Sequence, residues 1–544
     1  MAKSPPWGKA LDIIVGLKFS SVFGSQSIVR LLVLSCTFII IVAGAAVVTP
    51  FSYIQSALAQ QASFDNPITL DNRLGDQVHP HVAASVGNNV YVAYTSEISG
   101  QSSILFTRST DRGTSFSTPI SVSNDISGSS FSFLNAIAAN GDNVYVVWTR
   151  VTDVSSIYLA KSSNGGVTFS SPVQVESGGN ARAPAIAVSG VNVFVAWQDF
   201  SSSESGLDAE TFVAVSTDGG TTFRNPVDIS NSDGTLSRNP SVASSGNNVY
   251  VVWADCDTTG LNCKILYVES NDNGVTFNNP IVLGEPESSL PDISVQGNTV
   301  YVVYGHLFTD AQNVRVRDVF LVKGTDTPNG NTEFSDSFNI SNDPELASQN
   351  PRIDTSGTNV AIQWEQRDPS HANPHWEVVF VGSNDGGITF GSQTSVTENN
   401  FPTLNANLND IAISGSNLYS IFMILIDDFD VYFAKGTLTP IDVTPPEAIE
   451  NLINTIDGMN LDKGTQTSLN GPLHNTIRFL EDNNPSNDAA VCDKLSSFLK
   501  QVDAKEANGK LTAQQAEELR RQATLIHNSL GCPPTTLLLL PLPH

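Results

Sequence analysis

Three arginines stand beside a proline in similar sequence contexts. Arg182 in RAPAIA and Arg238 in RNPSVA come two residues before the proline, and Arg352 in NPRID comes directly after it. A guanidinium group offers a planar fork of N–H donors, which binds a carboxylate through two parallel hydrogen bonds. If the fold brings these arginines together, they would bind a glycan or another anionic small ligand, most simply a carboxylate-bearing sugar.

Four further residues occupy comparable positions and are also candidate ligand contacts: His79 and His81 in DQVHPHVA, Asp292, and Asp410. The alternative for all of these residues is that they are solvated or pair with nearby carboxylates. Paired carboxylates would suit glycoside hydrolysis, but sequence spacing does not show which ones meet in space. More polar candidates follow the second strand of the repeating unit described below: Asp199, Asp255, Asp257, His306, Glu365, Arg367, Asp427 and Asp428.

Two other patterns are better explained by structure than by chemistry. Tyr304 in YVVYGH has the chemistry of a nucleophile, but an aromatic residue recurs at this place in most units, which favours a core position. His371 and His375 lie four apart, yet Pro374 between them forbids the helix that would place them on one face. No metal and no cofactor is therefore expected.

The charge of the chain limits its partners. Its 544 residues contain 27 Lys and Arg against 54 Asp and Glu, for a formal net charge of −27. Such a field repels phosphate backbones, so nucleic-acid binding is not expected.

One octet recurs along the chain, and it predicts a repeat protein. The spacings between successive copies are 53, 54, 54 and 113 residues, and a degraded copy at Gly324 divides the last gap. The octets begin at Ser109 (STDRGTSF), Ser162 (SSNGGVTF), Ser216 (STDGGTTF), Ser270 (SNDNGVTF) and Ser383 (SNDGGITF).

Each octet closes a unit of four strand patterns with period-2 alternation, and such units repeated about an axis form a β-propeller. Innermost strands begin near seven positions, so seven blades are predicted between residues 64 and 440, with six as the alternative. The last unit lacks an octet and an outer strand, and Phe64–Asn72 reads like outer strands elsewhere. We expect this N-terminal strand to complete the last blade, because closure removes an exposed edge.

The two ends of the chain differ from the repeats. Residues 445–532 show a helical period and predict a small α-helical bundle, followed by a tail at 533–544. Residues 1–60 combine basic residues, the apolar run Leu31–Val48 and an Ala57-Leu58-Ala59 site, which indicate a signal peptide or a membrane anchor. The rest of the chain would then be extracytoplasmic, secreted or held at the cell envelope.

Cysteine usage agrees with export. Cys256 and Cys263 flank a turn-rich stretch, and Cys492 and Cys532 lie in the helical region. Because neither a CxxC spacing nor clustered histidines indicate zinc, we predict two local disulfides.

The octet resembles the Asp-box, or BNR, motif, and the chain is similar to sialidase-like propellers. The resemblance implies that the third octet residue holds a turn and is not catalytic. The C-terminal region, through FLKQVDA and GKLTAQQAEEL, resembles a FIMAH-type helical module, which implies an accessory role at cell surfaces. The residues concerned in the octets are Asp111, Asn164, Asp218, Asp272 and Asp385.

Sialidases also use three arginines, an acid/base Asp and a Tyr–Glu pair, and the first arginine lies in an Arg-Ile-Pro motif. That motif is absent from this sequence, whose first unit reads DQVHPHVA. Two hypotheses follow. The first is a glycan- or ligand-binding surface module without a catalytic set, and the second is an exo-acting, sialidase-type glycoside hydrolase.

Overall fold

The computed structural model describes residues 61–532. Gaps occur at 72, 74, 86, 99, 125–130, 177–178, 201–207, 231–233, 285, 310–314, 328–329, 342–345, 368–374, 398–399, 402, 427, 440–444, 460, 482–487 and 531. The predicted export segment (1–60) and the tail (533–544) lie outside the described residues, as do Asp427 and His371.

Seven antiparallel sheets form the blades of a ring, which confirms the predicted seven-bladed propeller. The innermost strands of blades 1 to 7 are β3 (Asp76–Ala84), β7 (Phe131–Asn140), β11 (Ala181–Ser189), β15 (Leu236–Ser245), β19 (Ser288–Gln296), β24 (Ala347–Ser356) and β28 (Ala406–Ser414). The second strands are β4 (Val90–Ile98), β8 (Asn143–Val151), β12 (Asn192–Asp199), β16 (Asn248–Cys256), β20 (Thr299–Thr309), β25 (Asn359–Arg367) and β29 (Asn417–Leu425).

The outer half of each blade is shorter and includes the N-terminal strands. The third strands are β5 (Gln101–Ser109), β9 (Ser155–Ser162), β13 (Glu210–Ser216), β17 (Cys263–Ser270), β21 (Arg315–Asp326), β26 (Trp376–Ser383) and β30 (Phe429–Thr439). Outermost in blades 1 to 6 are β6 (Ile120–Ser121), β10 (Val173–Gln174), β14 (Val227–Asp228), β18 (Ile281–Gly284), β22 (Thr332–Phe334) with β23 (Phe338–Asn339), and β27 (Thr394–Ser395).

Blade 7 is closed by the N-terminal strands β1 (Gln61–Phe64) and β2 (Ile68–Thr69), which both pair with β30. The strand that was expected from Phe64 thus begins at Gln61 and is interrupted before Ile68. Pairing of Gln61 with Thr439 and of Phe64 with Gly436 covers the edge of β30. The ring therefore closes by joining the two ends of the propeller sequence.

The core lies between neighbouring blades. Tyr304 is 3% exposed and stacks on Phe320 at 6.0 Å between ring centroids, so it belongs to this core. The same place in the second strand of other blades holds fully buried aromatic residues: Tyr94, Trp148, Trp197, Trp253 and Trp364.

Each octet forms a turn between a third and a fourth strand. In the first, Asp111 Oδ1 accepts hydrogen bonds from Ser109 Oγ (2.7 Å) and Ser115 N (2.9 Å). The second octet has an Asn instead, and Asn164 Oδ1 accepts from Ser162 Oγ (2.8 Å) and Thr168 N (3.1 Å) in the same way. Gly166, at φ +77°, lies so close to the preceding blade that a Cβ would be 2.4 Å from Phe106 Cζ. The turn therefore needs glycine here both for backbone conformation and for space.

Four helices follow the propeller: α1 (Pro445–Gly458), α2 (Lys463–Glu481), α3 (Asp488–Ala507) and α4 (Ala513–Ser529). They share one apolar core that includes Leu452, Leu495 and Leu519. Thr512 and Gln515 form a reciprocal cap at the start of α4. In the part of the chain that the structure describes, no helix has the length and apolarity to cross a membrane.

Both predicted disulfides are present. Cys256–Cys263 joins the ends of β16 and β17, and Cys492–Cys532 ties α3 to the residues after α4.

Candidate functional site

All seven innermost strands carry a bulge at the same place, where their pairing with the second strand shifts register. At each bulge a non-glycine residue has φ between +48° and +52°, a conformation that L-residues seldom adopt. A proline follows in five blades, and Asn135 and Asn409 take its place in blades 2 and 7. The seven residues are His79, Leu134, Ala183, Asn239, Leu290, Asn350 and Leu408.

The two asparagines explain how blades without the proline keep this geometry. Asn135 Nδ2 donates to the carbonyl of His79 (2.8 Å), and Asn409 Nδ2 donates to the carbonyl of Asn350 (3.0 Å). Each bond joins a blade to the bulge residue of the preceding blade. In these two blades the proline is thus replaced by a side chain that anchors the neighbouring bulge.

The bulges surround a central cavity of about 500 Å³ that is lined by all seven innermost strands. Two residues beyond each bulge lies a ring of side chains with an uneven distribution. Blades 5, 6, 7 and 1 contribute charged or titratable groups, blade 4 a serine, and blades 2 and 3 only alanine. In blade order from 1 to 7 the ring is His81, Ala136, Ala185, Ser241, Asp292, Arg352 and Asp410.

Most N–H donors of Arg352 are unused among the described residues. Its Nε donates to the carbonyl of Asn409 at 3.3 Å. Among the described residues, neither Nη group has a hydrogen-bond partner or a carboxylate within ion-pair distance. The cavity therefore contains a guanidinium fork whose outer donors are available to a ligand.

Three carboxylates of the cavity bind backbone amides of the next blade. Asp292 accepts from Ile353 N at 2.9 Å and Asp410 from Val82 N at 3.0 Å. Asp354 accepts from Ile413 N at 2.8 Å. Because the innermost strand is an edge strand, these amides have no partner in their own sheet on the channel side. The carboxylates thus link blades 5, 6, 7 and 1 as well as lining the cavity.

Burial governs the protonation of two of these carboxylates. Burial raises the pKa of Asp354 to about 7, with smaller contributions from the charges of Asp410 and Asp292. Burial also raises the pKa of Asp292, and the nearby Arg352 partly offsets the rise. Asp354 was not predicted as a site residue. Its signal in the sequence is a lone carboxylate at a position where alanine recurs in other blades (Ala83, Ala138, Ala187, Ala243 and Ala412).

The two predicted histidines lie side by side in the cavity lining. His81 Nδ1 is 3.1 Å from Asp410 Oδ2, so the structure brings these two candidates together. His79 is the bulge residue of blade 1, and burial, with a smaller contribution from His81, lowers its pKa to about 4. His79 is therefore neutral near pH 7.

The structure does not bring all three predicted arginines to this cavity, which Arg352 lines and Arg182 and Arg238 do not. Arg182 donates from Nε and Nη2 to Asn180 Oδ1 and lies over the ring of Phe200. Both Arg182 and Arg238 come directly before the bulge, whereas Arg352 comes after it. The bulge separates the two positions.

Six of the remaining polar candidates hold local structure, whereas the Nε of Arg367 is buried without a hydrogen-bond partner among the described residues. Glu365 is 1% exposed and accepts from Asn350 Nδ2 and Leu408 N, which supports two of the bulges. Asp428 accepts from Gly75 N and so links blades 7 and 1. Asp199 accepts from Trp197 Nε1, Asp255 from Thr235 Oγ1, and Asp257 from Thr259, while His306 contacts Ser288 Oγ.

The side chains of the cavity are suited to recognition of a polar ligand. Arg352 supplies donors, the carboxylates supply acceptors, and the alanines of blades 2 and 3 supply an apolar wall. The lining contains no tyrosine or glutamate within the described ranges, so the Tyr–Glu pair of a sialidase is not assembled there. In the same ranges, no three His, Cys, Asp or Glu side chains are grouped as metal ligands.

No protein-family model and no curated protein matches the sequence. Solved structures with similarity to the chain include a Trypanosoma rangeli sialidase in complex with 2,3-difluorosialic acid, at 12% identity and a TM-score of 0.36. That match covers 56% of this chain and 53% of the sialidase chain. A second similar structure is an ulvan lyase, from a family of polysaccharide lyases, bound to -[GlcA(1-4)Rha3S]-. It is 10% identical to this chain with a TM-score of 0.42, and the match covers 69% of this chain and 94% of the lyase.

A third similar structure is a mutant NanB sialidase from Streptococcus pneumoniae, at 12% identity and a TM-score of 0.39, covering 57% of this chain and 69% of that one. The neighbours thus include sialidases and a polysaccharide lyase. With scores this low, function has to be inferred from the residues of this chain.

Proposed function

We propose that this protein is an exported β-propeller that binds a saccharide in its central cavity, with Arg352 as the main polar contact. The observation that carries the proposal is that Arg352, whose Nη donors are unpaired among the described residues, lines a cavity of about 500 Å³. A cavity of this size accommodates a small ligand, and a few well-placed polar groups set its orientation.

A sugar suits the uneven ring around this cavity. Its hydroxyl or carboxylate oxygens would accept from Arg352, and its hydroxyl groups would donate to Asp292 and Asp410. Its C–H face would lie against Ala136 and Ala185. The absence of a Tyr–Glu pair from the described lining favours binding over hydrolysis.

The wider proposal follows from the sequence. We infer that the octets are Asp-box turns with a structural role and that the helices form a FIMAH-like accessory module. The N-terminal segment would export the chain or anchor it at the cell envelope. The oxidised cysteine pairs are consistent with an extracytoplasmic location.

Glycan-array binding tests the proposal directly. Arg352→Gln should weaken the binding of each glycan that wild type binds on the array by at least about tenfold, because the change removes charge-assisted hydrogen bonds from the guanidinium. Arg112→Gln is the matched control, since Arg112 is exposed in an octet and bonded to Asn88. Equal binding by wild type and Arg352→Gln would remove the cavity from consideration. Release of free sugar by wild type would favour the glycosidase hypothesis instead.

A further inference from the structure

Arg238 is a second guanidinium that has no partner among the described residues. It lies on β15 directly before the bulge and pairs across the sheet with Ala254, which has no polar side chain. The residue is partly buried, yet among the described residues its side chain makes no hydrogen bond, ion pair or ring contact. Burial lowers the pKa of Arg238, as expected for a cation without a nearby anion.

A disulfide-closed loop lies against this guanidinium. The loop joins β16 to β17 and is closed by the Cys256–Cys263 disulfide. Within it, Gly260 N donates to the carbonyl of Asp257 at 2.8 Å, and Thr259 N donates to Asp257 Oδ1 at 3.0 Å. A Cβ on Gly260 would lie 2.9 Å from Arg238 Nη1 and 3.2 Å from Nη2. The guanidinium therefore lies directly against the glycine backbone.

Arg182 has the same position in blade 3, but its guanidinium donors are used in hydrogen bonds within the protein. Its fork is already bonded to Asn180 Oδ1, at 3.2 Å from Nε and 2.9 Å from Nη2, and its guanidinium lies 5.7 Å from the centre of the Phe200 ring. Blade 4 keeps the arginine but has Leu236 in place of Asn180. Arg238 thus keeps its donors while Arg182 uses them within the fold.

We propose that Arg238 is a preorganised subsite for one anionic group, a carboxylate or a sulfate, and that the disulfide-closed loop fixes its orientation. The subsite is separate from the central cavity, whose lining does not include Arg238. Because Arg238 has no anionic partner among the described residues, its guanidinium can pair locally with an external anion. Because the two sites use different residues, either can be correct without the other.

Sulfate titration of protein labelled with ¹⁵N-arginine tests the subsite without assuming a glycan. The Nε–H resonance of Arg238, assigned by its loss in Arg238→Lys, should shift with saturation as sodium sulfate replaces sodium chloride at constant ionic strength. Gly260→Ala keeps the charge but displaces the fork, and it should weaken the sulfate affinity about fivefold or more. The resonance of Arg112 should stay unchanged as an internal control. An unmoved Arg238 resonance, or a Gly260→Ala variant with wild-type affinity, would overturn the proposal.

A uronate-containing oligosaccharide and its carboxyl-reduced counterpart distinguish the source of the anion. If the anion belongs to a saccharide, Arg238→Gln should weaken binding of the uronate form about tenfold and leave the neutral form unchanged. If inorganic sulfate shifts the resonance but both oligosaccharides bind Arg238→Gln as they bind wild type, the anion is a free ion. Loss of both oligosaccharides in Arg352→Gln alone would report on the central cavity.

Discussion

The octet turns and the central channel use aspartate in opposite electrostatic settings. In the octets, hydrogen bonds from Ser115 and Thr276 side chains are the largest influence on Asp111 and Asp272, whose pKa values are lowered to about 2. In the channel, burial is the largest influence on Asp354, and it raises the pKa to about 7. The residue type is the same, and its surroundings reverse the shift.

The difference lies in the donors that each carboxylate receives. Asp272 is exposed and accepts from Ser270 Oγ, Val275 N, Thr276 N and Thr276 Oγ1, all within its own turn. Asp354 is half-buried in the channel and, among the described residues, accepts only the amides of Thr355 and Ile413. Four donors in water favour the ionised form, whereas two amides do not offset burial. The turn aspartate Asp272 is therefore ionised through the acid range, whereas the channel aspartate Asp354 changes its protonation near neutrality.

The largest effect is expected from Asp354→Ala, which gives the channel position the residue found in blades 1, 2, 3, 4 and 7. The Asp354 carboxyl ionises near 3.8 when unfolded and near 7 when folded, so its contribution to stability is complete below about pH 4 and is lost as the pH rises to 7. The loss across this window is on the order of 4 kcal/mol. Denaturant unfolding at several pH values should show that the variant lacks this fall. A variant with the pH profile of wild type would show that Asp354 ionises normally.

His79→Asn should change the pH dependence of stability by a smaller amount and in the opposite direction. Asparagine holds the same bulge position in blades 4 and 6, so the backbone conformation is retained. The folded-state pKa of about 4 lies below the ordinary 6.5, so His79 stabilises the fold above pH 6.5 and this stability is lost as the pH falls towards 4. The amount is about 3 kcal/mol. In wild type the free energy of unfolding rises with pH because of His79 and falls with pH because of Asp354, so the two effects oppose each other. Each variant should therefore reveal the pH dependence that the other residue causes. Parallel profiles for the two variants would contradict the comparison.

Much of the fold could be predicted because the repeats are regular. The octets, the period of 53 or 54 residues and the four strand patterns predicted the blades, and the outer-strand pattern near Phe64 predicted closure. The cysteine spacing predicted both disulfides. The proline at the bulge was less reliable, because Asn135 and Asn409 can anchor the same backbone through their side chains.

The site was harder to predict because the bulge disrupts period-2 alternation. Arg182 and Arg238 lie directly before it and Arg352 after it, so residues that are equally close to a proline do not line the same cavity. Side-chain contacts between different blades also could not be predicted from the sequence. Nothing in the spacing of His81 and Asp410 indicates that ring closure places them 3.1 Å apart.

The smallest effect should come from the octets, where Asp272→Asn and Asp272→Ala separate charge from hydrogen bonding. Asn164 shows that an amide can hold the turn, since its Nδ2 donates to Thr168 Oγ1 at 2.9 Å in place of the bond from Thr276 Oγ1 to Asp272. Asp272→Asn should therefore change the free energy of unfolding at pH 7 by only a few tenths of a kcal/mol, while Asp272→Ala should cost about 1–2 kcal/mol.

The same pair of variants also tests whether the turns are separate from the cavity. Both should bind the glycan identified on the array as wild type does, because the octets lie at the end of the blades opposite the starts of the innermost strands. In acid, wild type should lose stability as the pH falls from 3.8 towards 2, since the folded pKa of Asp272 is depressed, and Asp272→Asn should lose less. If Asp272→Asn is as unstable at pH 7 as Asp272→Ala, the charge rather than the hydrogen-bond pattern stabilises the turn. The hydrogen-bond pattern that Asn164 shares with Asp272 would then not be sufficient to hold the turn.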